Sequence, residues 1–253
     1  MSKEILTTTL YNKEVARDIF EIKLKGESGL KFIPGQFAHI AINQSDLLLR
    51  RPLSINSYDE KSGEFVFIYI VVGFGTQVLK TAQKGELISI LAPLGVGFKV
   101  LKNYKKIFLV GGGIGCAPLE SIIDAFPKRE YYSFLGYDCD KSIYHFDEFE
   151  AKSKQLYITT VDGSIGHEGI VTAPLKQELE KSIPDVIFAC GPTPMLKALK
   201  ETLEPYNIKT YISVEERMGC GMGGCAVCAC NTINGNKKAC IDGPVFDLSE
   251  VIF

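Results

Sequence analysis

The sequence has little of what would place a protein in a membrane, outside the cell or on nucleic acid. Its 253 residues contain no apolar run of about 18 residues, so no transmembrane helix is expected. The N-terminal segment lacks the apolar core of a signal peptide. The formal net charge of −2 is too small to indicate binding to nucleic acid or to an anionic membrane.

Histidine is also scarce, with three residues in the chain. His39 alternates within a predicted strand, whereas His145 and His167 lie in polar segments. We interpret all three as structural or solvated, and we therefore expect no general acid or base from this chain.

The eight cysteines are not expected to form disulfides, because nothing in the sequence indicates export. The reducing cytoplasm is the predicted compartment. Cys116, Cys139 and Cys190 stand singly among apolar or turn residues and are predicted to be buried thiols. The remaining cysteines lie close together near the C-terminus.

These remaining cysteines form the most specific pattern in the chain. Cys220, Cys225 and Cys228 make a C-x4-C-x2-C run, and a fourth thiol, Cys240, follows. This is the plant-type spacing for a [2Fe–2S] cluster. Cys230 is excluded as a ligand because the run is already complete at Cys228. A structural zinc site is the alternative, but zinc favours two short knuckles and the fourth cysteine here stands alone.

The chain divides into three parts by pattern. Residues 1–100 alternate apolar and polar in short runs broken by Gly and Pro, which predicts a small antiparallel barrel or sandwich. In residues 101–215 strands alternate with helices, which predicts a parallel sheet in an α/β domain. Residues 216–253 form the cysteine module. The predicted fold class is therefore β followed by α/β, with a C-terminal [2Fe–2S] module.

Two motifs in the first part indicate a phosphate-bearing ligand. In Arg50-Arg-Pro-Leu-Ser54 an extended backbone turns the two arginines to opposite faces, so only one can bind a pyrophosphate. Ser54 is placed to offer its hydroxyl to a flavin ring edge, and an exposed strand edge is the alternative. The segment Gly73-Phe-Gly-Thr76 fits a turn against phosphate or ribityl groups, or equally a hairpin turn.

Two glycine turns in the second part are predicted to bind a nucleotide. Val110-Gly-Gly-Gly-Ile-Gly-Cys-Ala-Pro-Leu119 follows a strand and opens a helix, and Cys190-Gly-Pro-Thr-Pro-Met195 repeats this arrangement. Both turns would lie at the carboxyl ends of parallel strands, where open α/β sheets bind ligands. A pure packing role is the alternative. The candidate residues are Gly111, Gly112, Gly113, Gly115, Cys190, Gly191 and Pro192.

These motifs, in this order, resemble the ferredoxin–NADP reductase superfamily, in which a flavin-binding β-barrel precedes a nicotinamide-binding α/β domain. The cysteine module and the segments 162–172, 215–220 and 242–246 narrow the resemblance to the electron-transfer subunits of NAD-dependent dihydroorotate dehydrogenase. The resemblance covers residues 5–253. It implies FAD, a [2Fe–2S] cluster on the four cysteines, and NAD as co-substrate.

The resemblance also implies residue roles. The FAD-binding residues would be Arg51, Pro52, Leu53, Ser54, Ile68, Tyr69, Ile70, Gly75 and Thr76. Relatives often carry a basic residue where this chain has Ile70, so Arg50 or Arg51 is expected to make more of the phosphate contact. Asp138 and Asp140 favour NAD over NADP, although the neighbouring lysine weakens that interpretation, and a solvated turn is the alternative.

The resemblance further implies a role in pyrimidine biosynthesis. Electrons would pass between dihydroorotate, oxidised at FMN on a separate catalytic subunit, and NAD bound here. A heterotetramer is expected, with Met222, Ala226 and Val227 at the subunit interface.

Two rival functions stay open at this point. One is a subunit of another flavin–iron–sulfur complex, such as a ferredoxin:NADP transhydrogenase or a hydrogenase diaphorase. The other is a non-catalytic redox sensor or zinc-stabilised interaction module.

Overall fold

A computed structural model describes residues 2–44 and 46–253 of the chain. Its N-terminal part is an antiparallel barrel, as the alternating apolar runs predict. The barrel strands are β1 (Lys3–Ala16), β2 (Ile19–Lys25), β3 (Phe37–Ile40), β4 (Arg51–Asp59), β5 (Glu64–Ile70) and β6 (Leu87–Leu94). They close in the order β1-β2-β5-β4-β3-β6, and β1 pairs with β6 to complete the ring. Inward-facing side chains such as Ile22, Phe67 and Ile90 are fully buried.

The segment after β5 differs from the hairpin turn that was one sequence-based alternative. A short helix, α1 (Phe74–Leu79), begins there instead. The Thr76 hydroxyl accepts hydrogen bonds from the backbone N–H groups of Val72 and Gly73, at 3.1 and 3.3 Å. These bonds satisfy donors that a helix start leaves free, which explains why the chain turns into a helix at this point.

The second part is an α/β domain built on a seven-stranded sheet. Its strands are β7 (Lys106–Gly112), β8 (Glu130–Tyr137), β9 (Gln155–Thr160), β10 (His167–Glu168), β11 (Val186–Cys190) and β12 (Thr210–Ser213), joined at one edge by a later strand. The helices are α2 (Cys116–Ala125), α3 (Phe146–Lys152), α4 (Thr172–Lys181) and α5 (Thr193–Leu203). The spatial order β10-β9-β8-β7-β11-β12 reverses direction between β7 and β11. All of these pairs are parallel, as predicted.

The C-terminal segment is built onto the α/β domain. It contains the hairpin β13 (Ala229–Thr232) and β14 (Gly235–Lys238), followed by β15 (Val245–Asp247). Strand β15 pairs antiparallel with β12 and so forms the seventh strand of the sheet. Cys228 and Cys240 belong to the same buried cluster as Phe108 and Ile212 of the sheet. The cysteine module therefore shares the core of its neighbour, and the predicted boundaries at 100/101 and 215/216 stay predictions.

A buried polar network joins the barrel to the α/β domain. His145, just before α3, contacts Glu21 of β2 through Nε2 at 2.8 Å and Glu120 of α2 through Nδ1 at 2.7 Å. Asn56 of β4 donates from Nδ2 to Glu120 at 2.9 Å and to the Ala117 carbonyl at 3.0 Å. Because Glu21 and Asn56 belong to the barrel, the network fixes the angle at which the two domains face each other.

No helix in the described residues has the length and apolar character needed to cross a membrane.

Candidate cofactor clefts and cysteine centre

The main cavity lies between the barrel and the carboxyl edge of the parallel sheet, and its volume is about 950 Å³. Both groups of sequence-predicted nucleotide-binding residues meet here. The predicted residues that line it are Arg51, Pro52, Leu53, Ser54, Ile68, Tyr69, Ile70, Thr76, Gly112, Gly113, Gly115, Cys190, Gly191 and Pro192. The cleft is continuous from the barrel wall to the two glycine turns, so one extended space is available to a flavin and a nicotinamide nucleotide.

The two consecutive arginines point to opposite faces of β4, as the extended backbone predicts. Arg51 lines the cleft and donates from Nη1 to the Leu49 carbonyl at 2.5 Å. Arg50 instead pairs with Glu4 at 2.6 Å and donates to the Ser89 carbonyl at 2.9 Å on the barrel wall. Arg51 is therefore the arginine available to a ligand in the cleft, and Arg50 is held by its protein partners.

Two predicted residues, Gly75 and Gly111, do not line the cleft. A Cβ added at Gly75 would collide with the Arg51 guanidinium, so this glycine makes room for the arginine. At Gly111 an added Cβ would lie 2.7 Å from Cys116 Sγ, which identifies a packing contact. At both positions a neighbouring side chain leaves no room for a Cβ, and a cofactor contact stays a prediction.

The two glycine turns bring helix N-termini to the cleft. Helix α2 follows β7 after one 3-10 turn, Gly113–Gly115, and α5 follows β11 after Gly191 and Pro192; the sheet order reverses between these two strands. Their free backbone N–H groups and positive dipole ends favour phosphate groups, and the reversal point is where open α/β sheets bind nucleotides. An added Cβ at Gly115 would lie 2.6 Å from the Cys190 carbonyl carbon, so the turns are in close contact with each other. Pro118 lies in the first turn of α2, where its missing N–H is tolerated.

The thiols at this end of the cleft are not ionised. Burial raises the pKa of Cys116 to about 12 and, equally, that of Cys190 to about 12. The predicted burial is confirmed for Cys116, which is 0% exposed, whereas Cys139 and Cys190 are partly exposed. A thiol with so high a pKa is a poor nucleophile. The cleft is therefore suited to holding and orienting cofactors rather than to covalent catalysis.

The two candidate acidic residues after β8 occupy different positions. Asp138 lines the cleft together with Ser142. Asp140 lies outside it, where its backbone N–H donates to Ser164 Oγ at 2.8 Å. Of these two residues Asp138 is the one that lines the cleft, and its contact with a ribose hydroxyl stays a prediction.

The four predicted ligand cysteines form two pairs. In the first pair, the Cys220 N–H points at Cys225 Sγ and the Cys225 N–H at Cys220 Sγ, each at 3.4 Å. Cys228 and Cys240 make the second pair: both residues are buried, at 2% and 1% exposed, and the N–H of Ala239, next to Cys240, donates to the Cys228 carbonyl at 2.9 Å. A [2Fe–2S] cluster needs two thiolates on each iron, so two pairs fit its ligand requirement.

The electrostatics of the cysteine loop differ between the pairs. Backbone N–H groups, first that of Met222 and then that of Cys225, lower the pKa of Cys220 to about 6. Burial, reinforced by the hydrogen bond with Cys228, raises the pKa of Cys240 to about 11. The loop thus already directs N–H donors at sulfur, which is how proteins stabilise iron–sulfur centres.

Within residues 2–44 and 46–253, no three His, Cys, Asp or Glu side chains are grouped closely enough to hold a metal ion, and this applies to the four cysteines as well as to a zinc site. A structural zinc ion would require four ligands around one centre. Cys230, excluded from the sequence-based ligand set, lies in β13 and donates from Sγ to the Lys237 carbonyl at 3.4 Å.

The outer surface of the cysteine loop is apolar and exposed. Met222 is 65% exposed and Val227 is 55% exposed, and Cys225 between them is exposed as well. Ala226 adopts a left-handed backbone with φ of 57°, which is rare for a residue with a side chain. This surface leads directly to the first cysteine pair.

Sequence reasoning classified His39 and His145 as structural or solvated. The exposed His167 fits that interpretation. His145, however, joins two domains through paired carboxylates, and its partners at positions 21 and 120 could not be read from local pattern. His39 is fully buried against the cysteine loop at Gly221. The one sequence signal for His39 is that it is a polar residue inside an apolar strand run. Its position next to the Arg-Arg-Pro-Leu-Ser motif is evident only in the structure.

Two family models match the chain. Residues 215–252 match the iron–sulfur cluster binding domain of dihydroorotate dehydrogenase B. Residues 109–201 match the oxidoreductase NAD-binding domain.

Curated relatives match along the whole chain. The dihydroorotate dehydrogenase B (NAD(+)) electron transfer subunit of Geobacillus sp. (strain WCH70) is 40% identical over 100% of both chains. The chain belongs to this family of electron transfer subunits. The subunit of the same name from Enterococcus faecalis (strain ATCC 700802 / V583) is 40% identical, over 99% of this chain and 98% of its own.

Solved structures place the family within a wider fold. The NADH-dependent reduced ferredoxin–NADP oxidoreductase aligns with a TM-score of 0.87 and 29% identity, over 97% of this chain and 89% of its own. A ferredoxin NADP+ reductase from Neisseria gonorrhoeae with bound FAD and NADP aligns with a TM-score of 0.69, over 82% of this chain and 93% of its own. At 17% identity the second likeness shows the fold alone. The predicted family, fold class and cofactor types are confirmed.

Proposed function

We propose that this chain passes electrons between NAD and a partner dihydroorotate dehydrogenase subunit, in pyrimidine biosynthesis. The observation that carries the proposal is the continuity of the nucleotide cleft with the cysteine loop. Glu215, Glu216 and Met218 line the cleft, and the first cysteine, Cys220, follows two residues later along the chain. Full-length relatives that are 40% identical and carry this activity in their name support it over the rival complexes.

The division of labour follows the three predicted segments. Residues 1–100 would hold FAD, with Arg51 at the pyrophosphate and Ser54 and Thr76 offering hydroxyls. The glycine turns of residues 101–215 would hold NAD, with Asp138 at the ribose. Cys220, Cys225, Cys228 and Cys240 in residues 216–253 would hold the [2Fe–2S] cluster.

The cofactors supply the redox chemistry, since a flavin converts between one-electron and two-electron transfer. The residues of this chain bind and orient them. We expect no side chain of this chain to act as an acid or base, because electron and hydride transfer between the cofactors requires none from the protein. The base for dihydroorotate would lie on the partner.

The partner would dock on the exposed side of the cysteine loop. Met222 and Val227 supply apolar surface there, and electrons must enter or leave near the exposed Cys225. We propose that the partner carries FMN and that two copies of each subunit form a heterotetramer. Because the cluster thiols must stay reduced until loaded, the cytoplasm is the proposed compartment.

The test is an anaerobic visible spectrum of the full chain before and after addition of NADH, with iron and acid-labile sulfide assayed in parallel. Flavin bands with a red-shifted shoulder that bleach with NADH are expected. Cys225→Ser should lose iron and sulfide but keep the flavin bands. Its matched control, Cys230→Ser, should keep both, because that thiol bonds to a backbone carbonyl.

Co-expression with a dihydroorotate dehydrogenase catalytic subunit tests the partner. Dihydroorotate should then bleach the same bands, and NAD+ should restore them. A colourless protein after anaerobic preparation would overturn the electron-transfer function. If NADH reduces the coloured protein but dihydroorotate does not, even with the partner bound, the result would favour a subunit of a ferredoxin-linked complex instead.

A further inference from the structure

His39 is a buried side chain for which the proposed function provides no task. It lies in β3, and it is 0% exposed. Neither of its ring nitrogens has a hydrogen-bond partner within the described residues. Burial, followed by the positive charge of Arg50, lowers the pKa of His39 to about 4, so the ring is neutral at pH 7. One ring nitrogen therefore carries a hydrogen that lacks an acceptor.

Buried polar groups in native proteins nearly always have a partner, and an exception needs an explanation. Arg50 cannot supply one, because a guanidinium only donates and this one bonds to the His39 carbonyl at 3.4 Å. The missing acceptor is therefore to be sought in something that the protein binds.

The ring lies against the cysteine loop. A Cβ added at Gly221 would be 2.9 Å from both Nδ1 and Cε1 of His39, so the backbone there rests directly on the imidazole. Gly221 has a φ of +70° and stands between Cys220 and Met222. The Met222 N–H already points at Cys220 Sγ at 3.4 Å. The imidazole thus supports the turn that aims a donor at the first predicted ligand.

The flavin side of the ring is closed. The Phe37 ring centroid is 5.8 Å from that of His39, and Pro52 pairs with His39 across the strands. Phe37 and Pro52 both line the cleft, whereas His39 does not. A ligand in the cleft would therefore meet these two residues, and the imidazole faces the cysteine loop.

We propose that His39 is a positioning residue for the iron–sulfur cluster, whose ring supports the turn at Gly221 and whose N–H donates a hydrogen bond to a sulfur of the loaded site. The inference rests on the proposed function, since it requires the cluster at the four cysteines. A cluster bound at the four cysteines would bring sulfide to the loop that the ring contacts, and the proposal requires one such sulfur within reach of a ring nitrogen. A donor to sulfur stabilises the reduced, more negative cluster more than the oxidised one, so His39 would raise its reduction potential.

The test compares His39→Leu, which has no donor, with His39→Gln, which keeps an N–H. Each holoprotein is assayed for iron and sulfide and then titrated electrochemically, with the cluster followed by EPR. In His39→Leu the ratio of reduced to oxidised cluster at a fixed potential should fall about tenfold, equal to about 59 mV for a one-electron couple. His39→Gln should recover more than half of that shift, and the flavin potential should change in neither variant.

An unchanged cluster potential in a fully loaded His39→Leu protein would overturn the proposal. It would mean that the wild-type ring donates to something other than the cluster, such as a buried water. A shift confined to the flavin would overturn it as well.

A second measurement decides the matter if the variants fail to load. Wild-type holoprotein with 15N in its histidine rings is reduced and studied by pulsed EPR. A weak 15N coupling to the cluster supports the hydrogen bond, whereas no coupling, or the strong coupling of a bound ligand, overturns it. Both ring nitrogens of His145 already bind carboxylates, and labelled His167→Gln protein removes the remaining source.

The two failures can be told apart. If wild-type protein contains no iron and sulfide, the proposed function itself is contradicted. Loaded wild-type protein without a 15N coupling sinks only the role of His39.

Discussion

Replacing His145 by glutamine tests a buried electrostatic contact between the barrel and the α/β domain. The His145 side chain is 14% exposed, and those of Glu21 and Glu120 are 8% and 6% exposed. Burial alone would lower the pKa of His145, but hydrogen bonds to Glu120 and Glu21 outweigh it and raise the value to about 10. The ring is therefore a protonated imidazolium between two carboxylates at neutral pH.

The size of the effect can be worked out in two ways. A pKa raised from 6.5 to about 10 corresponds to about 5 kcal/mol of favourable interaction of the charged ring. Removal of one partner from a buried ion pair typically costs about 3–5 kcal/mol, because the other charge is left uncompensated. For a chain of this length each kcal/mol lowers the melting temperature by about 2–4 °C. We expect His145→Gln to melt roughly 10 °C below wild type.

The assay is thermal unfolding of the full chain at pH 7, followed by circular dichroism and by flavin release. His167→Gln is the matched control, because it makes the same substitution at an exposed histidine. It should melt within about 1 °C of wild type, as surface substitutions usually change stability by less than about 0.5 kcal/mol.

The pH dependence of the melting temperature provides an independent test, because the direction of the change is fixed by the raised pKa of His145. Because the folded pKa of His145 lies above its ordinary value, the stability it contributes is full below about pH 6.5 and is lost as pH rises towards 10. The gap in melting temperature between wild type and His145→Gln should therefore narrow between pH 7 and pH 9.5. Equal melting temperatures at pH 7, or a gap that widens with rising pH, would refute the reasoning.

Three further predictions concern the cofactors and the partner. Gly75→Ala should weaken FAD binding about tenfold by displacing the Arg51 guanidinium, whereas Gly73→Ala, with open space around it, should not. Equilibrium flavin titration measures both affinities, and equal values would contradict a phosphate contact by Arg51. Asp138→Asn should lower the preference for NADH over NADPH, measured as the ratio of the two kcat/KM values, about tenfold, because the carboxylate no longer repels a 2′-phosphate. An unchanged ratio in steady-state kinetics would show that Asp138 does not contact the ribose. Met222→Asp should weaken association with the catalytic subunit at least tenfold in a binding titration and leave flavin reduction by NADH unchanged. The control Ile183→Asp, at an exposed site on the α/β domain, should affect neither. An unaltered complex with Met222→Asp would place the interface elsewhere.

Much of the fold could be predicted because it depends on local pattern. The alternating apolar runs of residues 1–100 form the six barrel strands, and α2 and α5 follow the two strand–glycine turns that predicted them. Period-two alternation and strand–glycine–helix turns are signals between near neighbours, so the sequence contains them directly. The segment at Gly73–Thr76 was open between a ligand-binding turn and a hairpin turn, because closely spaced glycines suit both, and the helix that begins there was not predicted.

Most of the predicted cofactor residues line one cleft, although their roles stay predictions; glycine was the signal, since turns that approach a ligand closely need it. The close approach of Arg51 to Gly75 could not be predicted, because Arg51 lies on another strand, β4; Gly111 instead makes room for Cys116 of its own turn, a contact that depends on how the turn folds. The departure at Ile70 was visible in the sequence, and only the contacts of Arg50 with Glu4 and Ser89 decided which arginine faces the cleft.

The sequence by itself determined the type of protein, because cysteine spacing, glycine turns and strand periodicity are chemical requirements met within a few residues of one another. The tertiary structure alone decided which distant residues act together. His145 meets Glu21 across 124 positions, β15 completes a sheet begun at β7, and Gly221 rests on His39. Such pairs arise from strand register and domain docking, which are set by the packing of the whole core rather than by any local run of residues.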